Sequence, residues 1–109
     1  MHHWLFLSGA ILLEVAGTIS MKLSEGFTRP IPSVLIFVFY IISFVALTFA
    51  IEKIEVSIAY TIWAGVGTAL IAIIGLVYFG EPATAIKFIS IILIIIGVIG
   101  LSQDAFKFK

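Results

Sequence analysis

Long apolar runs alternate with short polar punctuation along the whole chain. From Met1 to Met21 the single formal charge is Glu14. Lys22 to Pro32 is a polar break; Gly26 suits a turn there, and Pro30 and Pro32 suit the first turn of a following helix. Ser33 to Ile51 is uncharged, and Glu52, Lys53 and Glu55 form a tight connection. Val56 to Phe79 is uncharged again, with Gly65, Gly67 and Gly75 inside it, and Gly80-Glu81-Pro82 is a clear stop. Thr84 to Ser102 carries only Lys87, after which Asp104, Lys107 and Lys109 are expected to end the chain in water. Each run is about 18–24 residues, or about 27–36 Å as helix, matching a hydrocarbon core of about 30 Å. The pattern predicts an all-α membrane protein, residues 1–109 forming one domain of four transmembrane helices at roughly 3–21, 32–51, 56–79 and 84–103. The β-branched stretch Ile91 to Ile96 does not argue for strands, because a lone strand cannot satisfy its backbone in lipid. The period-two alternation of a barrel is also absent.

Composition sharpens this reading. The chain is 62% hydrophobic and 11% charged, too apolar to cover the surface of a small soluble domain. Four spans leave no room for a separate soluble domain, and a leading signal peptide is disfavoured by the missing basic segment and the acid within the apolar stretch. The six acids and six bases balance, so nothing suggests a nucleic-acid partner. The absence of Cys excludes disulfides, thiolate metal sites and Cys nucleophiles. There is no Ser-His-Asp set and no metal-ligand cluster, so neither an enzyme nor a resident metal or cofactor is expected. His2 and His3 receive no metal role, and Trp4 suits a headgroup-level anchor.

Orientation is balanced too. The N-terminus, second connection and C-terminus share one side, with Lys53, Lys107 and Lys109; the other side holds Lys22, Arg29 and Lys87. The positive-inside rule has no bias to act on. Either details such as the depth of Lys87 fix one orientation, or the chain inserts both ways and opposite copies pair as an antiparallel dimer.

Glu14 is the acid deep inside a span, ten residues after Trp4 and eight before Lys22. A carboxylate there costs several kcal/mol, so it should face a bundle interior or a wet cavity. One reading is a protonated Glu bonded to a neighbouring helix; the other is a proton or cation site. Leu7, Ala10, Gly17, Thr18 and Met21 share its face at helical spacing, and the small Ala10, Gly17 and Thr18 can open space beside it or admit another helix.

The other spans carry weaker signals. Tyr60 and Trp63 lie in the first two turns of the third span, as an interfacial belt or as a cation–π wall for an organic cation. Gly65 and Gly67 are a packing notch or a hinge. Tyr40 lies far from either end of the second span, with Ser43, Phe44 and Leu47 at the same spacing, and its hydroxyl needs a partner. Ser90 and Gly97, with Leu93 or Ile94, can form a close-packed seam, either within the chain or with a second copy.

The stretch from Glu14 to Ser33 resembles the small multidrug resistance family of proton-coupled exporters, and so does Ala59-Tyr60-Thr-Ile-Trp63-Ala-Gly65-Val-Gly67. The likeness covers essentially the whole chain. It implies that Glu14 binds protons and substrate in alternation, that Tyr40, Tyr60 and Trp63 are aromatic site residues, and that Gly65 to Gly67 is a flexible hinge. It implies an antiparallel, dual-topology homodimer in a prokaryotic plasma (inner) membrane, sealed by the fourth helix, where Gly97 fits; Ser90, beside Ile94, replaces a glycine of some members. Ala64 stands where many members carry Ser or Thr. Around Glu14 the expected pocket draws on Ala10, Gly17, Thr18 and Ser43, with H+ as coupling ion and no cofactor. The guanidinium-exporting branch looks like Glu-Val-x-Trp; this chain reads Glu14-Val-Ala-Gly17-Thr18, similar to the multidrug branch. The implied substrates are hydrophobic organic cations, such as quaternary ammonium and aromatic cations. The alternatives are a selective guanidinium or polyamine exporter, half of a heterodimeric exporter, or a membrane scaffold without transport. The three-against-three charge count argues against a heterodimer, and a scaffold has no need of Glu14.

Overall fold

The computed structural model describes residues 2–107 and, of their side chains, those up to Asp104. Lys109 and the side chain of Lys107, expected to end the chain in water, lie outside the described residues. Four helices follow one another: α1 (His2–Leu23), α2 (Pro30–Ala50), α3 (Val56–Val77) and α4 (Ala85–Lys107). All four are long and apolar enough to cross a membrane. The chain is an integral, multi-pass membrane protein.

Helix α3 starts at Val56 as expected, and the other helix ends shift by one to four residues from the sequence expectation, three of them for a clear local reason. Helix α2 starts two residues early because Pro30 takes the first helical position, where a missing N–H costs nothing. Helix α3 stops at Val77, two residues short of Phe79. Gly80, at φ +66°, turns the chain left-handed, and the Glu81 N–H closes onto the Gly75 carbonyl at 2.9 Å. Helix α4 starts behind Thr84, whose hydroxyl accepts the Lys87 N–H at 3.1 Å as an N-cap. Lys87 turns its ammonium back to the Pro82 carbonyl at 2.9 Å, so its charge sits in the connection rather than deep in the span.

Contacts divide the chain into two compact units, Met1–Ile54 and Glu55–Lys109. In the first, α1 packs along α2. Leu7, Ala10, Ile11, Val15 and Ile36 are buried, and the Ser43 hydroxyl, itself fully buried, donates to the Ala10 carbonyl at 2.7 Å. Small residues at Ala10 and Ser43 let the helices approach until a side chain bridges to backbone, the usual association device where lipid removes the hydrophobic drive.

The α1–α2 connection is more constrained than one turn glycine predicts. Glu25, Gly26 and Phe27 are all left-handed, at φ 49°, 71° and 67°. The two non-glycine residues cost of order 1–3 kcal/mol each in such a conformation and persist only where surroundings hold them. Ser24 is that hold. Its hydroxyl donates to the Met21 carbonyl at 2.8 Å and accepts the Phe27 N–H at 3.2 Å, while its carbonyl accepts the Thr28 and Arg29 N–H groups at 3.0 and 3.1 Å. The Phe27 ring also stacks on Phe37 at 6.3 Å between centroids.

In the second unit α3 packs on α4 at a notch. A Cβ on Gly65 would stand 2.7 Å from Cγ2 of Val98 and 3.4 Å from Cγ2 of Ile94. Only glycine allows that approach. Within this unit α3 leaves much of α4 uncovered, with Ile86, Ile89, Ile92, Leu93 and Ile96 all more than half exposed.

Candidate functional site

Glu14 lies two turns before the end of α1's apolar stretch and is half-buried. The helix repeat puts Thr18 one turn on, and its hydroxyl reaches carboxylate oxygen Oε2 at 2.9 Å and the Glu14 carbonyl at 3.1 Å. The same hydroxyl lies 2.7 Å from the Tyr40 hydroxyl on α2. Tyr40 thus finds the partner its depth requires, and it brings a second helix to the carboxylate through one bridging atom. The ring reaches Thr18 because Gly17 leaves room for it: a Cβ there would meet ring carbons Cδ1 and Cε1 at 3.0 Å. On its far side the Tyr40 hydroxyl lies 3.7 Å from the thioether sulfur of Met21. Phe44, one turn along α2, tilts against the Tyr40 ring at 6.2 Å.

Chemically, the cluster is one ionisable oxygen pair with a directional hydroxyl chain attached. An ionised carboxylate only accepts hydrogen bonds, whereas a protonated one also donates. The group can therefore hold a proton or face a cation, and the hydroxyls adapt to either state.

Of the residues expected around Glu14, Gly17, Thr18 and Tyr40 come together there. Ala10 and Ser43 are placed instead in the α1–α2 seam, bonded to each other and closed off from solvent. Met21 shares the Glu14 face at a seven-residue spacing, a signal in the sequence, yet only its sulfur's proximity to Tyr40 ties it to the cluster.

In the second unit Tyr60 and Trp63 form a tilted aromatic pair, 5.3 Å between centroids at 49°. Tyr60 is 57% exposed and lines a groove of about 630 Å³ between α3 and α4, with Ala64, Gly65, Ile94 and Gly97 among the walls. Gly65 sits at the α3–α4 contact, the geometry of a packing notch, and Gly67 is buried. Ile94 packs onto Gly65 within the chain, whereas Ser90 and Gly97 are exposed.

Comparison with known proteins gives the family. A sequence model described as Small Multidrug Resistance protein matches residues 2–94. An uncharacterised membrane protein, YvaE of Bacillus subtilis, is 51% identical over 92% of this chain and 84% of its own. The quaternary ammonium compound-resistance protein QacF of Klebsiella aerogenes is 41% identical over 90% of this chain and 89% of its own. A guanidinium exporter of Escherichia coli is 39% identical over 90% of this chain and 93% of its own. The chain belongs to the small multidrug resistance family, and with these bacterial relatives its place is the bacterial plasma membrane.

Proposed function

We propose that this member of the small multidrug resistance family is a proton-coupled antiporter that exports hydrophobic organic cations by alternating access. Protons and substrate compete for Glu14 of two subunits arranged as an antiparallel homodimer. The observation that carries the reading is the half-buried Glu14 carboxylate in mid-span, bonded to Thr18 and through it linked to Tyr40. A structural acid would be tied off by a cation or a full set of donors; among the described residues no ion pair to Glu14 is formed. A cation stabilises the ionised carboxylate and a proton neutralises it, so one occupant excludes the other. Each pH unit across the membrane then supplies about 1.4 kcal/mol per exchanged proton.

The 41% identity to the quaternary ammonium compound-resistance protein QacF supports quaternary ammonium cations as substrates, and the small Ala16-Gly17 pair after Glu14 suits a roomy pocket. The Tyr60–Trp63 pair supplies an aromatic face for such a cation, a contact worth about 2 kcal/mol when desolvated. The balanced Lys/Arg count supports dual topology, and the uncovered face of α4 supports pairing with a second copy. A second reading, guanidinium export, is favoured by one observation, the 39% identity to a guanidinium exporter. Purified protein in liposomes with an imposed pH gradient separates the two. Proton-driven uptake of tetraphenylphosphonium or a tetraalkylammonium, with little guanidinium transport, is the expected result. Guanidinium transport alone would replace the substrate assignment, and no proton-driven transport of either would end the antiporter reading.

A further inference from the structure

We infer that Thr18 and Tyr40 form a reversible hydrogen-bond relay that passes the proton state of Glu14 to Met21. The inference rests on the proton–cation exchange at Glu14 proposed above and adds to it a positioning role for Tyr40 and an acceptor role for Met21.

Hydrogen counting leads there. Thr18 carries one hydroxyl proton and has three oxygens in reach: Oε2 of Glu14 at 2.9 Å, the Glu14 carbonyl at 3.1 Å and the Tyr40 hydroxyl at 2.7 Å. Tyr40 also carries one, with Thr18 on one side and the Met21 sulfur at 3.7 Å on the other. When Glu14 is ionised it can only accept. Thr18 must donate to Oε2, and Tyr40 must donate to Thr18; both protons point at the carboxylate, and the sulfur receives none.

When Glu14 is protonated, its O–H donates to Thr18 and the direction reverses. Thr18 then sends its proton along its shortest contact, to Tyr40, rather than to a carbonyl already engaged in the helix. Tyr40, now an acceptor from Thr18, turns its own proton to the Met21 sulfur. No heavy atom has to move. Thioether sulfur is a weak acceptor, so it takes this proton only when the better oxygen is no longer offered.

The relay ends at a meaningful place. Met21 is two helical turns beyond Glu14, about 10 Å along the axis. Its carbonyl accepts the hydroxyl of Ser24, the residue that holds the left-handed Glu25–Phe27 turn. The proton state of a mid-membrane group thereby reaches the side chain of a residue in the last turn of α1. Of the titratable groups on the two packed helices, α2 brings Tyr40 to the cluster, and α1 adds Lys22, exposed in its last turn.

The test uses the full chain in lipid nanodiscs with 13C-methyl methionine and 13C-carboxyl glutamate, Met21→Leu and Glu14→Gln assigning the signals. In the parent, the Met21 methyl should shift with pH at the same midpoint as the Glu14 carboxyl. In Tyr40→Phe the Met21 signal should stay flat while Glu14 still titrates. Thr18→Val should behave likewise, and Thr18→Ser should restore the response. A flat Met21 signal in the parent beside a titrating Glu14, or a Met21 response that survives in Tyr40→Phe, would overturn the relay. In either of those cases, calorimetry of tetraphenylphosphonium in the same discs would still show pH-dependent affinity if the exchange reading holds. A Glu14 carboxyl silent across the pH range, with pH-independent cation affinity, would instead overturn the exchange reading and the relay with it.

Discussion

Adding one methyl group at Gly17 should disconnect Tyr40 from Glu14 without touching either residue. A Cβ there stands 3.0 Å from two Tyr40 ring carbons and 3.4 Å from a third. Carbon–carbon contacts that close are tighter than van der Waals packing allows, so the ring must give by a few tenths of an ångström, roughly 0.3–0.5 Å. The Tyr40 hydroxyl begins 2.7 Å from Thr18. A shift of that size directed away from Thr18 carries it to about 3.0–3.2 Å, at or past the end of the ordinary O–H···O range. Overpacking costs about 1–3 kcal/mol and the lost hydrogen bond about 1, against a gain of up to about 1 from replacing a helical glycine. The net is a destabilisation of about 1–4 kcal/mol, with cation affinity lower by about fivefold if one hydrogen bond's worth of site order is lost. Gly9→Ala is the internal control: nothing lies within 4 Å of a Cβ there, and the substitution should be neutral or stabilise by up to about 1 kcal/mol. Unfolding in mixed micelles gives the stability difference, and calorimetry with tetraphenylphosphonium gives the affinity. In a Tyr40→Phe background the binding penalty of Gly17→Ala should largely vanish, because both changes remove the same link. Gly17→Ala matching Gly9→Ala in stability and the parent in affinity would refute the reasoning, as would full additivity with Tyr40→Phe.

Three further outcomes follow from the same geometry. Glu14→Gln should insert and fold yet lose proton-coupled transport in liposomes, and the rise of cation affinity with pH, expected because the cation needs the ionised carboxylate, should disappear with it; coupled transport near the parent rate would contradict this. Gly65→Ala places a Cβ 2.7 Å from Val98, so α3 and α4 must separate, at about 1–3 kcal/mol measured by unfolding; Val98→Ala should restore most of the loss, and a Gly65→Ala chain as stable as the parent would show that the notch is not tight. Single cysteines introduced into the 52–55 connection of this Cys-free chain should label from both faces of the membrane, and two added lysines there should bias the distribution; labelling from one face alone would exclude dual topology.

The spans were legible because hydropathy is summed over some twenty residues, and one misread position changes little. Their ends were less so, because each is set by one or two residues acting locally. Pro30 at the first helical position and Thr84 as a cap are both signals the sequence carries, yet the boundary depends on which of several turn residues takes the special conformation. The α1–α2 connection shows the limit. Gly26 advertises a left-handed turn, but nothing in the residue types Glu25 and Phe27 says that they join it. They do so because Ser24 binds backbone groups three residues away on both sides, a local network that single-residue propensity opposes.

The site divides along the same line. Glu14 stood out because a mid-span acid is expensive wherever it sits, so its presence alone demanded an explanation. Thr18 followed from helical spacing on one chain segment. Tyr40 was marked by an unpaired hydroxyl in an apolar span, although its partner on α1 is 22 residues away and no local pattern selects it. Small residues proved ambiguous for a physical reason. Ala10, Gly17 and Ser43 all permit close approach, and sequence cannot say whether the space they leave is taken by backbone, by a ring or by a ligand. Ala10 and Ser43 spend it on the helix seam, and Gly17 yields it to the Tyr40 ring. What a glycine or alanine makes room for is a property of the helix opposite, so pocket and seam separate only once the register between α1 and α2 is known.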